Sequence, residues 1–434
     1  MADETALDAL VEAELNQRRE TGHDVSAIAA KLAALGADAS DDALLGIRDE
    51  LEALAPPAAW PYEEPSGLQE IIQTFPATEA VPVDADLEDR ILGAWRGRIA
   101  GNMLGKPVEN GEVWTRERIR SFLELSDAYP ISDYIPVPDS IPEGYLLRHH
   151  WPHTTRGRVS GSWRDDDVDY TILGLHLLET HGADLRPEDV AEGWLLRLPF
   201  HQVYTAERIA YRNLANGLDP SAAASHHNPY REWIGALIRA DIFGYVHPGS
   251  PRRAAVAAYQ DAVLSHRANG IYGEMWAAAL VAGAFTATSP RSLLTDSIQY
   301  VPPGSRLAAA LRQVLDLYDR SAGWEEAMTE LDRTTGHYHW VHTVNNAAVI
   351  AAGILWGEGD FTRTIGLTVQ GGLDTDSSGA TAGSVAGILT GAAGIPPHWT
   401  DPLEDRVRSA LFGFDGISIS ELAARTTRVA RNLR

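Results

Sequence analysis

The sequence predicts an all-α protein, and three observations predict it. Apolar residues recur at three- and four-residue spacing through most of the chain, the signature of amphipathic helices. Period-2 alternation of β-branched and aromatic residues, the mark of strands, is scarce. Two segments carry small residues at helical spacing: Gly97, Gly101 and Gly105, and a later run with Gly379, Gly383 and Gly387. Such ridges let helices pack closely.

Residues 1 to about 55 read as two or three short helices. Leu7, Leu10, Val11 and Leu15 fall on one face, and Leu44, Leu45, Ile47, Leu51 and Leu54 on another, with Gly22 and Gly36 at turns. From Pro56 to Pro82 the chain is rich in Pro and carries Trp60 and Tyr62, so it reads as a linker lying on the main body. Residues 1–82 are therefore expected to form a small helical appendage, and 83–434 the main domain. Asp86-Leu87-Glu88 opens a helix through Ile91, Ala94, Trp95 and Ile99 toward Gly105. The stretch 129–155 is too rich in Pro for a helix and too long for a plain connection. It reads as a loop over a site or a packed irregular segment. Helices are expected over 166–181, 186–197, 206–215, 229–240, 252–265, 271–287, 304–319, 341–355, 360–369 and 376–391.

Composition narrows the function. With 434 residues, 44% hydrophobic and 22% charged, the chain fits a soluble globular protein with one large core. A net charge of -24 argues against nucleic acid or an anionic membrane as partner, and suits a cation site. There is no Cys, which excludes thiolate metal sites, disulfides and Cys nucleophiles. No apolar run approaches the roughly 20 residues of a membrane span. Asp3 and Glu4 interrupt any leader pattern at the N-terminus, so the expected location is the cytoplasm.

The chemistry concentrates in two acidic knots. Gly371-Gly372-Leu373-Asp374-Thr375-Asp376-Ser377 places two carboxylates and a hydroxyl on a Gly-flanked turn, at the start of a Gly/Ala-rich helix. About two hundred residues earlier, Trp163-Arg164-Asp165-Asp166-Asp167-Val168-Asp169 sets four carboxylates at the start of an apolar helix. A helix cap needs one acid, not four. Oxygen-only ligands suit hard divalent cations such as Mg²⁺. A third element, Gly97 to Gly105 then Lys106-Pro107-Val108-Glu109, ends a helix and delivers an acid beyond it.

In this order the three elements resemble the ADP-ribosylglycohydrolase family over about residues 86 to 400. Asn269-Gly270-Ile271-Tyr272-Gly273-Glu274-Met275 resembles a divergent form of that family's Gly-Asn-Gly-Ala-Ala-Met loop. The resemblance implies an orthogonal multi-helix bundle with two Mg²⁺ in a cleft, with Mn²⁺ or Ca²⁺ able to substitute. It implies hydrolysis at ribose C1 of ADP-ribose conjugates, small or protein-linked. The implied metal ligands are Asp165, Asp166, Asp167, Asp374, Asp376 and Ser377, and the implied catalytic residues Glu109, Asp166 and Asp374. Substrate contacts are expected from Asn102, Trp163, Gly270, Tyr272, Gly273, Glu274 and His342. Glu109 is expected to shuttle a proton or to gate the site, and Arg164 or Lys106 to meet a phosphate.

Several positions depart from the family pattern. Asp165 stands where Thr is usual, Val168 where a second Thr is usual, Asn102 for a common Asp, and Trp276 where Arg often follows. The first change implies extra negative charge at the metals; Asn102 and Trp276 imply a less charged substrate pocket. Hydrolysis of a smaller N-riboside, or a catalytically silent binding protein, are the alternatives. Oligomeric state leaves no trace in the sequence.

Overall fold

A computed structural model describes residues 5–36, 38–77, 80–83 and 85–433. Asp3 and Glu4, read above for a leader pattern, lie outside the described residues. Those described form 22 α-helices joined by short 3-10 turns, with no strand beyond two isolated bridges, Trp233 with His342 and Arg406 with Ser418. No helix among them is long and apolar enough to cross a membrane.

The main core is held by two antiparallel helices, Leu87–Gly105 and Thr375–Thr390. Along their seam Gly93 faces Gly387, Gly97 faces Gly383, Gly101 faces Gly379, and Gly105 faces Thr375. A Cβ added at any of these seven glycines would overlap a backbone carbonyl of the other helix. Spacing by four keeps each set on one ridge. The seam places the C-terminal end of the first helix, with Lys106 and Glu109 just beyond it, against the N-terminal end of the second, with Asp374 and Asp376.

Thr343–Gly357 and Phe361–Gln370 pack as a further close pair, with Gly353 against Thr368 and Gly357 against Thr364. Asp166–His181 brings the other acidic knot to the same end of the bundle. Arg98, fully buried on the first helix, fixes that approach. It pairs with Asp241 at 2.7 Å and donates to the Asp167 carbonyl at 2.7 Å.

The N-terminal residues fold as Leu7–Glu20, Ser26–Leu35 and Asp41–Glu52 around their own cluster of Val11, Leu15, Val25, Ile28, Leu44, Ile47 and Leu51. This unit is tied to the body by Glu14 to Arg231 at 2.6 Å and Gln17 to Glu232 at 2.8 Å. The Pro-rich strap that follows lies across the body. Glu64 reaches Arg306 at 2.8 Å, the Glu63 amide donates to the Gly304 carbonyl, and Trp60 stacks on the Arg306 guanidinium.

One expected helix is broken. Residues 229–240 form irregular turns followed by Leu237–Arg239 and then Asp241–Val246. Neighbouring segments take the backbone groups a helix would use: Arg231 and Glu232 carbonyls accept from Arg267 and Thr343, and the Ile234 amide donates to Val341. Those long-range bonds outweigh a modest local helical preference.

Candidate metal centre and active site

The two acidic knots meet at the end of the helix seam. Glu109, Asp374 and Asp376 each offer a carboxylate oxygen within 4.8 Å of the other two, and so do Asp165, Asp167 and Asp376. Asp376 is common to both groups. Asp165, Asp167, Asp374 and Asp376 are buried, while Glu109 and Asp166 keep partial access to solvent.

Local structure explains each placement. Asp165 caps the Asp166–His181 helix, accepting from the Asp167 amide at 3.1 Å. Asp374 stands at the cap position of Thr375–Thr390, reached through Gly372 at φ 76° and Leu373 at φ 65°. A non-Gly residue in the left-handed region costs roughly 1–2 kcal/mol, and such local strain recurs where a ligand must be aimed. Asn346 holds the turn. Its Oδ1 accepts from the Asp374 amide at 3.1 Å and the Ser378 hydroxyl at 3.2 Å, and its Nδ2 donates to the Trp340 and His342 carbonyls. The Thr375 hydroxyl donates to the Gly105 carbonyl at 2.9 Å, riveting the two helix ends together.

Electrostatics in the cluster is dominated by burial. Burial, reinforced by the Asp376 charge, pushes the Asp167 and Asp374 carboxyls well above the usual carboxylate range. The same two causes push Glu109 up to about 8, against the pull of Arg148 and Lys106. Burial also raises Asp166, opposed by Arg164 and Lys106. Asp167 Oδ1 is buried with no hydrogen-bond partner. An all-oxygen donor set, short of positive charge and with an orphan oxygen, fits a hard divalent cation.

Four residues around the acids went unassigned or were read differently from sequence. Lys106 is buried, paired to Asp165 and 3.5 Å from Asp376, so it lies among the acids. The extra charge expected from Asp165 is therefore answered within the protein. Arg148 pairs with Glu109 at 3.2 Å, and its amide donates to the Pro107 carbonyl, so the 129–155 stretch does pack over the site. His150, nearby and buried, has an unpartnered Nδ1 and is held far below the usual imidazole range by burial and by Lys106. Asn346 is the fourth; as a mid-helix Asn needing a partner, it was the one with a local signal.

The expected substrate contacts divide. Asn102 is at the acids, its Nδ2 donating at 2.9 Å to both Asp165 and Asp167. Trp163 is half-buried beside them, stacked on His153 with ring centroids 4.2 Å apart. Ser377 follows Asp376 and donates its amide to Asp376 Oδ1 at 3.1 Å. Arg164 turns to Asp169 at 2.8 Å.

The 270–274 residues have other neighbours. Gly270, Tyr272, Gly273 and Glu274 are all buried in the Asn269–Ala284 helix. The Tyr272 hydroxyl donates to the Pro65 carbonyl, and Glu274 lies in a buried cluster with Arg239 and Asp261. Strap residues 64–66 cover this helix start: Glu64 accepts from Asn269 at 2.8 Å, and Ser66 Oγ from the Ala268 amide at 3.0 Å. His342 caps Thr343–Gly357 with Nδ1, accepting at 3.1 Å, and stacks on Tyr338, a structural use that leaves it wholly buried. Two shallow surface cavities, one beside Leu7 and His227 and one beside Pro251 and Ser292, lie away from the acids.

The family model described as ADP-ribosylglycohydrolase matches residues 83–432. The chain belongs to the ADP-ribosylglycohydrolase family. A solved structure titled "ADP-ribosylglycohydrolase-related protein complex" matches with a TM-score of 0.51 at 20% identity, over 80% of this chain and 99% of that one. That likeness speaks for the fold. Comparison with curated proteins gives no match. Family and all-α fold together support a glycohydrolase, and the matched span contains every acid of the cluster.

Proposed function

We propose that this ADP-ribosylglycohydrolase family member is a divalent-metal-dependent hydrolase that cleaves the glycosidic bond at ribose C1 of ADP-ribose conjugates. The convergence of two distant acidic knots on the shared Asp376 carries this reading. Glu109, Asp167, Asp374 and Asp376 would hold the metal, Mg²⁺ first, with Asp166 and Ser377 at its margin. A bound divalent ion supplies polarisation of hydroxyls and a lowered pKa for water.

The chain's own groups supply the rest. The clustered carboxylates favour the positive charge of an oxocarbenium-like sugar. Glu109 sits at the partly open edge, oriented by Arg148, with burial and Asp376 raising its carboxyl to about 8. A bound cation would hold it ionised, so that Glu109 serves as a carboxylate at that edge while the ion is in place. Asn102 fixes Asp165 and Asp167 relative to each other, and Asn346 fixes Asp374. We further propose that residues 1–82 act as an appendage without chemistry of their own, and 83–434 as the catalytic domain.

A smaller N-riboside is the second reading. Its support is the strap over the Asn269–Ala284 helix start, which takes up the Ala268 amide, the Asn269 side chain and the Tyr272 hydroxyl. Release of ADP-ribose from arginine-, serine- or acetyl-linked substrates, with Mg²⁺ and after chelation, tests the proposal. Cleavage of a nucleoside but of no ADP-ribose conjugate would move the assignment to the second reading. Binding without cleavage of either would leave a silent binding protein.

A further inference from the structure

We propose that Lys106 takes the seat of one of two divalent ions, so that this centre holds a single exchangeable divalent cation. The inference rests on the metal-dependent reading above and goes beyond it in fixing the ion count.

The acids form two three-carboxylate nests joined at Asp376. Lys106 Nζ is paired with Asp165 Oδ2 and lies 3.5 Å from Asp376 Oδ2, so an ammonium stands among the oxygens of the Asp165, Asp167 and Asp376 nest. Its residue is 3% exposed. The side chain springs from the end of the Leu87–Gly105 helix, and the ring of Pro107 restricts the turn that follows. The seam against Thr375–Thr390 fixes this end relative to Asp376.

Much of the remaining capacity of that nest is also taken. Asp165 Oδ1 accepts from Asn102 and from the Asp167 amide, and Asp167 Oδ2 accepts from Asn102. A divalent ion placed there would lie against a buried ammonium, and like charges repel strongly where water is excluded. The Glu109, Asp374 and Asp376 nest differs. Its cation contact besides Lys106 is Arg148, which touches Glu109 from a partly exposed position. Asp167 Oδ1, buried and unpartnered, is left free in the first nest, which Asp376 joins to this one.

A simpler account is that Lys106 only neutralises Asp165, the acid standing where the family usually has Thr. Lys106 also reaches the shared Asp376, so the pairing is not private, and the two accounts give different ion counts.

The test is a count on the full chain. Protein stripped with chelator is titrated with Mn²⁺, bound metal is measured by equilibrium dialysis with elemental analysis, and spin coupling is read by electron paramagnetic resonance. The wild type should bind one Mn²⁺ with an uncoupled signal. Lys106→Met, which keeps the stem and removes the charge, should bind two with a coupled signal. Two ions in the wild type overturn the inference, and so does a single ion in Lys106→Met. No bound ion in the wild type overturns the metal-dependent reading itself. Lys106→Gln replaces the Met variant if that one does not fold, and the wild-type count alone can refute the inference.

Discussion

Gly379→Ala tests whether the helix seam positions the site. Gly379 lies one turn into the Thr375–Thr390 helix, three residues after Asp376. A Cβ there would stand 2.5 Å from the Gly101 carbonyl oxygen, 3.1 Å from its carbon and 3.2 Å from Val369. Ordinary contact begins at 3.4 Å, so the helices must part by roughly 0.9 Å. The first obstacle is backbone, which cannot rotate aside as a side chain can. In an exposed helix interior Gly→Ala gains about 1 kcal/mol. Overpacking a tight contact costs about 1–3 kcal/mol, and here the upper part of that range applies. The net expectation is a loss of about 1–2 kcal/mol, read as a lower urea midpoint at unchanged slope. Because the shifted turn carries Asp374 and Asp376, Mn²⁺ affinity should fall about tenfold or more, as metal sites tolerate little displacement. Gly46→Ala is the control. It lies within Asp41–Glu52 with nothing within 4 Å of the added Cβ, and should stabilise by up to about 1 kcal/mol. A Gly379→Ala protein as stable as wild type, with unchanged Mn²⁺ affinity, would refute the close-seam argument.

Replacing both Asp374 and Asp376 by Ala should abolish divalent binding in the same dialysis measurement; full retention would remove these acids from the centre. Arg98→Met leaves Asp241 buried without its cation and removes a donor to the Asp167 carbonyl. A loss of about 3–5 kcal/mol in denaturant unfolding is expected, and a loss under 1 kcal/mol would count against the anchor. Burial pushes the Glu20 carboxyl up from 4.5 to about 7. The folded state then binds that proton more tightly than the unfolded state. The contribution is complete below pH 4.5 and is lost as pH rises toward 7. Glu20→Gln should flatten thermal stability against pH across that window, and an unchanged profile would show that Glu20 does not titrate there. Glu64→Ala removes one of two carboxylates on Arg306. The strap should then be cut faster by a protease than in wild type, while Mn²⁺ binding stays intact.

The sequence made the seam legible because its signal is local. Gly97, Gly101 and Gly105, and Gly379, Gly383 and Gly387, repeat every four residues, and that period alone draws a ridge. The acidic knots were legible for the same reason, since their oxygens crowd within a few residues. That they meet followed from family resemblance, because no local pattern says which distant helix end lies opposite another. Non-local contacts account for what was read differently. Residues 64–66 cover the Asn269–Ala284 helix start, which no feature of 269–275 could announce. Residues 229–240 lose their helix to hydrogen bonds from 267, 341 and 343. Arg148 and His150 stand in a Pro-rich stretch without period, so nothing in their spacing marked them.

The Asp165–Lys106 pair makes the physical point most sharply. Read singly, Asp165 adds negative charge to a metal site, and Lys106 is a cation near a surface acid. They are 59 positions apart in the chain, yet the structure buries them together, paired. The pair adds no net charge to the cluster, and its cation end also lies near Asp376. Whether an acid strengthens or weakens a cation site depends on what already neutralises it. A ligand inventory drawn from sequence counts oxygens, whereas ion capacity depends on oxygens left without a partner. Here that difference separates Asp165, whose oxygens are taken by Lys106, Asn102 and the Asp167 amide, from Asp167, whose Oδ1 has no partner, and it makes the number of bound ions the most informative quantity to measure.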